Sequence, residues 1–257
     1  GGGLSGALIV STTKSLMLEP AYFVYSAFEQ GNGAAVEGGG PIDKGGIAHF
    51  RVFAAGGSGR FAGNVGGRFF SDDKTNYTWG AGGQVKINAI GHYNRFDSEM
   101  MYTPSPHMLA FVVGGKYDER AQERYPAWNA QAVWKWNRFY VNAESYFKRE
   151  LAFGSWQVSY LARAGFLLWP RHLAIGADFG EFVASDYDNP PSAEEVGDEI
   201  ERIRDERQAR AVLHWFAYGQ TGRVSLLYTY RDVKKNDQFD KDGYKLQELS
   251  LAATYVF

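Results

Sequence analysis

The chain has no cysteine among its 257 residues. That excludes disulfide staples, thiolate zinc ligands and thiol nucleophiles. Long apolar runs are missing as well. Nothing approaches the roughly 20 residues of a membrane helix, and Leu161–Trp169 is interrupted by Arg163. Charge of one sign is also lacking: 27 Lys and Arg stand against 29 Asp and Glu. The five histidines, His49, His92, His107, His172 and His214, fall on separate segments, so no metal site is expected. No GxSxG or Walker A motif occurs. The glycine-rich GGSGRFAG at 56–63 has no P-loop lysine and reads as a tight hairpin. No catalytic residue and no cofactor are assigned, and the chain is not expected to be an enzyme. GGGLSGALIV has no basic n-region, so no signal peptide is read there.

What is present is aromatic and glycine-rich. Phe, Trp and Tyr make up 16% of the chain and there are 31 glycines, yet the mean hydropathy is negative. Aromatic residues must therefore be interleaved with polar ones, and their spacing has period 2. In AWNAQAVWKW, Trp128, Ala130, Ala132, Trp134 and Trp136 oppose Asn129, Gln131, Val133 and Lys135. In NRFYVNAESYFK, Phe139, Val141, Ala143, Ser145 and Phe147 oppose Tyr140, Asn142, Glu144, Tyr146 and Lys148. Such alternation marks half-buried strands. It recurs at 45–56, 59–70, 77–88, 92–103, 107–118, 127–136, 138–149, 155–168, 172–184, 207–218, 222–232 and 244–257. Residues 4–13 and 15–28 add two candidates, and GNGAAVEGGGPIDKGG is too long for a short turn unless it hides a further strand.

Strands of this length suit a tilted crossing of a bilayer. Short connections such as YGQTG, WPR and WN alternate with long ones such as DYDNPPSAEEVGDEIERIRDE. This predicts one domain over 1–257: an all-β, antiparallel, up-and-down transmembrane barrel of about 12–16 strands, 14 being the central figure. Short turns face the periplasm and long acidic loops face outward. The loop at 185–206 has helical spacing at Val196, Ile200 and Ile203. The aromatic face meets lipid, and the polar face lines a water-filled lumen or surrounds a plug.

Parity assigns twelve basic residues to the inner face: Arg51, Arg60, Arg68, Lys86, Arg95, Lys116, Lys135, Lys148, Arg163, Arg210, Arg223 and Arg231. It assigns five acidic ones: Asp97, Glu99, Glu144, Asp178 and Glu248. A basic lumen favours small anions such as phosphate, and all the basic residues but Arg95 are candidates for the anion pathway. Glu144 and Arg163, on adjacent strands, are placed to pair. The basic residues and the aromatic ones lie on opposite faces, which argues against nucleic acid. The other reading is a scaffold barrel that anchors a periplasmic or outer-membrane partner protein, with its lumen plugged.

The runs AWNAQAVWKWNRFYVNAESYF and GSWQVSYLARAGFLLWPRHLAIGADF, with the strand ending in Phe257, resemble the phosphate-selective porins O and P of the Gram-negative outer membrane. The resemblance implies a homotrimeric, anion-conducting channel in a bilayer of lipid and lipopolysaccharide. Asp178 departs from it, being acidic after the "HLAIGA" run. Finally, SLAATYVF alternates to its last residue. Tyr255 and Phe257 resemble the terminal aromatic signal read by the barrel assembly machinery, with this strand closing the barrel.

Overall fold

The computed structural model describes residues 16–18, 34–58, 77–94, 99, 101–119, 124–151, 153–190, 204–219 and 221–255. Within them, eleven strands form one antiparallel sheet whose spatial order equals chain order. They are β1 (Ala34–Pro41), β2 (Ala48–Ser58), β3 (Tyr77–Ile90), β4 (Ser105–Glu119), β5 (Arg124–Asn137), β6 (Phe139–Glu150), β7 (Ser155–Trp169), β8 (Leu173–Ala184), β9 (Glu206–Tyr218), β10 (Gly222–Val233) and β11 (Tyr244–Tyr255). From β3 onward each has 12 to 15 residues. A tilted strand needs about 9–11 to cross a bilayer.

Alternation decides which way every side chain points. Along β5 to β9, buried and non-buried residues alternate almost without a break. Trp128, Trp136, Phe139, Phe147, Trp156, Phe179 and Trp215 are exposed, and they share their face with Ala130, Ala143, Ala162, Ala164, Ala177 and Ala211. The opposite face is buried, and we call it the inner face. Rings gather toward the strand ends, as in Trp79–Tyr117 at 5.3 Å and Trp134–Trp136 at 6.3 Å. The alanines fill the band between them. Tyr218 and Tyr255 extend the outer aromatic surface, 6.5 Å apart.

Turns at one end are tight. Trp136 pairs with Phe139, so Asn137 and Arg138 alone join β5 to β6. Asn137 has φ 52°, a left-handed conformation that asparagine tolerates and that two-residue hairpins require. At the same end, Asp43 organises the β1–β2 turn by accepting hydrogen bonds from the backbone N–H groups of Ala48 (2.6 Å) and Ile47 (3.1 Å). These bonds hold its carboxyl below the ordinary value of 3.8. At the opposite end, desolvation raises the carboxyl of Asp205, which accepts from the N–H of Ala184.

Two predicted segments need correction, while GNGAAVEGGGPIDKGG does hide a strand, β1, as its length suggests. Residues 92–103 form no strand where described: β3 pairs directly with β4, Ile90 with Leu109, and the segment between turns inward to bury Tyr93, Glu99 and Met101. Residues 16–18, predicted within a strand, form a bend that is also buried inside. The predicted strands at 4–13 and 59–70, and the helical spacing at 196–203, lie outside the described residues. The described part contains eleven strands, and within it no pairing joins β1 to β11.

Candidate functional site

The inner face divides into two zones. At the short-turn end it is apolar: Met108, Ala110, Val133, Tyr140, Leu167, Ala174 and Phe216 pack with Tyr93, Met101 and Leu16 into one cluster. This corrects the expectation of a uniformly polar interior. Tyr93, Met101 and Leu16 bring apolar groups that this part of the wall matches.

The rest of the inner wall is polar and charged. Arg163 and Arg210 converge on Asp178 from the two strands beside it, in register as Arg163–Asp178–Arg210 across β7, β8 and β9. Arg210 donates from Nε and Nη2 to the two carboxylate oxygens at 2.9 and 2.5 Å. Arg163 lies 3.4 Å from Asp178 and donates to Glu99 at 2.5 Å. All four groups are buried, so each charge has been taken from water and is compensated by its neighbours. Asp178, acidic where the resemblance leads one to expect a base, is the hub between two arginines. Glu144 does not pair with Arg163. The register sets Asn142 opposite Arg163, and Glu144 accepts from Gln131 (2.7 Å) and Asn142 (2.9 Å).

Lysines line the next rows. Lys116 and Lys148 flank Ala127 in register, and the small alanine leaves room for both to reach Tyr125. Their ammonium groups stand 5.0 and 4.1 Å from its ring centre, within cation–π range. Lys135 lies 5.5 Å from the Tyr140 ring. Lys86 donates to the carbonyl of Tyr93, and Arg51 donates to Gln84 at 2.8 Å. Arg231 grips Glu206 with two bonds, 2.6 and 3.0 Å, and Arg223 is buried on β10. Nine of the basic residues picked by parity are thus on the inner face. Arg60, Arg68 and Arg95 lie outside the described residues, as does Phe257; Tyr255 is described and points outward.

Parity missed three inner acids. Glu37 is on β1 and lies 3.4 Å from Arg51. Glu206 begins β9, one residue before the predicted start. Glu150 ends β6, one residue past the predicted end, and accepts from the N–H groups of Arg124 and Phe153. Each sat just beyond a predicted boundary or in the strand hidden by glycines. Among the described residues the inner face therefore carries nine basic groups (Arg51, Lys86, Lys116, Lys135, Lys148, Arg163, Arg210, Arg223, Arg231) against seven acidic ones (Glu37, Glu99, Glu144, Glu150, Asp178, Glu206, Glu248). Over these same described residues the sequence reading gives nine basic groups against four acidic ones, so the three added acids narrow the basic excess.

His214, missed as a binding group, holds the interior segment. Its Nε2 donates to the carbonyl of Leu16 at 2.6 Å, and its Nδ1 accepts from the hydroxyl of Ser225 at 2.8 Å. A carbonyl can only accept, which fixes the tautomer. Leu16 and Met17 are 1% and 0% exposed, deep against the inner wall. Among the described residues no group of His, Asp and Glu is arranged to hold a metal ion.

The described strands thus form one antiparallel up-and-down sheet, apolar on its outer face and largely charged on its inner one. Among solved structures, the chain is similar in fold to the outer membrane channel DcaP of Acinetobacter baumannii, with a TM-score of 0.58 and 11% sequence identity. The match covers 88% of this chain and 63% of that one, so the chain spans less than two thirds of that channel's length. No protein-family model matches the chain, the phosphate-selective porins included, and no curated protein matches it.

Proposed function

We propose that the chain forms the wall of an outer-membrane β-barrel channel that passes small solutes by diffusion, with a bias toward anions. The observation that carries this is the segregation of the two faces over strands long enough to cross a bilayer. Only a closed barrel satisfies strand backbones in hydrocarbon, and only lipid makes an outer face of Trp, Phe, Leu, Val and Ala favourable over β4 to β10. The likeness in fold to a channel supports the same reading. Short turns then lie on the periplasmic side and the 185–205 connection outside.

The anion bias rests on the basic excess of the inner wall, to which Lys116, Lys148 and Arg223 belong. The excess is small, so the bias is mild and no dedicated phosphate site is proposed. Reversal potential across a planar bilayer in a potassium chloride gradient tests it. A potential set by chloride is expected; one set by potassium would overturn the anion bias, and absence of any conductance, with Leu16 in place or displaced, would remove the channel.

A second reading is favoured by one observation. Leu16 and Met17 occupy the interior, as they would in a plugged barrel that serves as an anchor for another protein. Homotrimer formation and recognition by the barrel assembly machinery through Tyr255 and Phe257 remain proposals of the channel reading.

A further inference from the structure

The inner wall contains a seat shaped for one extended residue, and Leu16 is in it. Two glycines face each other across β7 and β8, Gly165 opposite Gly176. Both belong to the inner face, where the neighbouring positions carry Arg163, Leu167, Ala174 and Asp178. A Cβ at Gly176 would fall 2.8 Å from Leu16 Cγ, and one at Gly165 3.0 Å from Leu16 Cδ2. The paired glycines are therefore a hollow that the leucine side chain fills.

The backbone of Leu16 is held from both sides. Its N–H donates to Glu99 Oε2 at 3.2 Å, the same oxygen that receives Arg163. Its carbonyl accepts from His214. Next to it, Met17 packs on Val212 and Leu227, an inner-face pair in register across β9 and β10. The seat thus draws on four strands, β7 to β10, together with Glu99. Leu16–Leu18 makes no strand pairing, so nothing in its attachment resembles the ladder that fixes the wall.

We propose that Leu16–Leu18 is a displaceable plug, and that conduction requires it to leave the Gly165–Gly176–His214 seat. The inference rests on the channel reading and adds to it a closed resting state. Among the described residues, two hydrogen bonds and an apolar contact hold Leu16–Leu18; their loss leaves the inter-strand ladders intact and uncovers the glycine hollow, Val212 and Leu227. A shift in the closed-to-open ratio then appears directly as a change in mean conductance.

The absence of cysteine makes a clean test available in the full chain. Leu16→Cys with Gly176→Cys places two thiols within the Cβ–Cβ reach of a disulfide, about 3.5–4.5 Å. Planar-bilayer conductance is measured for the wild type, for this pair oxidised and reduced, and for Leu16→Asp and His214→Ala. The two single changes attack the seat from opposite sides, so one that fails to fold leaves the other. The proposal expects a rise of about tenfold in mean conductance for each folded single variant. It also expects the disulfide to form, to close the channel, and to release it on reduction. Equal conductance in the wild type, the seat variants and both redox forms would overturn the plug while leaving the channel. A disulfide that never forms in folded protein would overturn the seat itself. A disulfide that forms in a protein without conductance in any variant would overturn the channel reading, and the gating role with it.

Discussion

Asp178 is the residue on which the interior charge turns. Two buried arginines reach it and a second carboxylate, Glu99, completes the set. Removing the shared acid takes a buried counter-charge from both arginines. Asp178→Ala is expected to destabilise the folded protein by about 3–5 kcal/mol, read from equilibrium unfolding in urea with the chain in lipid vesicles. Asp178→Asn, which keeps hydrogen-bonding capacity, is expected to cost less. At the turn end, Asp43 acts through a lowered carboxyl. Its folded value lies below 3.8, so its contribution is fully present above that pH and is lost as pH falls through the lowered value. NMR titration of the Ala48 amide is expected to show a midpoint below 3.8, and Asp43→Asn is expected to abolish the transition. A midpoint at or above the ordinary value would contradict the turn bonds.

At the scale of the strand, the alternating outer face predicts where a charge is intolerable. Ala211 lies near the middle of β9 on the outer side, in register with Ala177 of β8 and Tyr228 of β10. Ala211→Arg is expected to cost about 2–4 kcal/mol in lipid, measured by the same unfolding experiment, while Arg207, outward at the strand's end and bonded to Glu181 at 2.6 Å, is native. Much of this was legible in the sequence, because period 2 over ten residues leaves little freedom: β4 to β11 fall within a few residues of their predicted bounds. What misled was apolar alternation whose described residues, 16–18, 92–94, 99 and 101–103, belong to no strand. Residues 92–103 and 15–28 alternate as strands do, but Tyr93, Met101, Leu16 and Met17 meet the inner wall itself, a tertiary contact that local pattern does not encode. Boundaries shifted by one residue then hid Glu150 and Glu206, and with them part of the charge balance. The pairing of Gly165 with Gly176 depends on register, so the leucine seat had no signal in either segment alone.

For the whole molecule, the two faces must meet two different media. Open sheet edges leave N–H and C=O groups unsatisfied in hydrocarbon, so a membrane-spanning form needs partners for the outer edges of β1 and β11. On the proposed reading, the seat at Gly165 and Gly176 makes the interior a place of occlusion as well as passage. Both properties follow from one assignment, that Trp128, Phe147, Ala211 and their neighbours face lipid while Arg163, Arg210 and Lys148 do not. Single cysteines at positions 206 to 215 of β9, introduced one at a time into this cysteine-free chain and labelled with a fluorophore in vesicles, test it most directly. Quenching by brominated acyl chains is expected at 209, 211, 213 and 215 and absent at 206, 208, 210, 212 and 214, a strict period of two. Equal quenching on both faces, or none on either, would contradict a membrane-spanning wall.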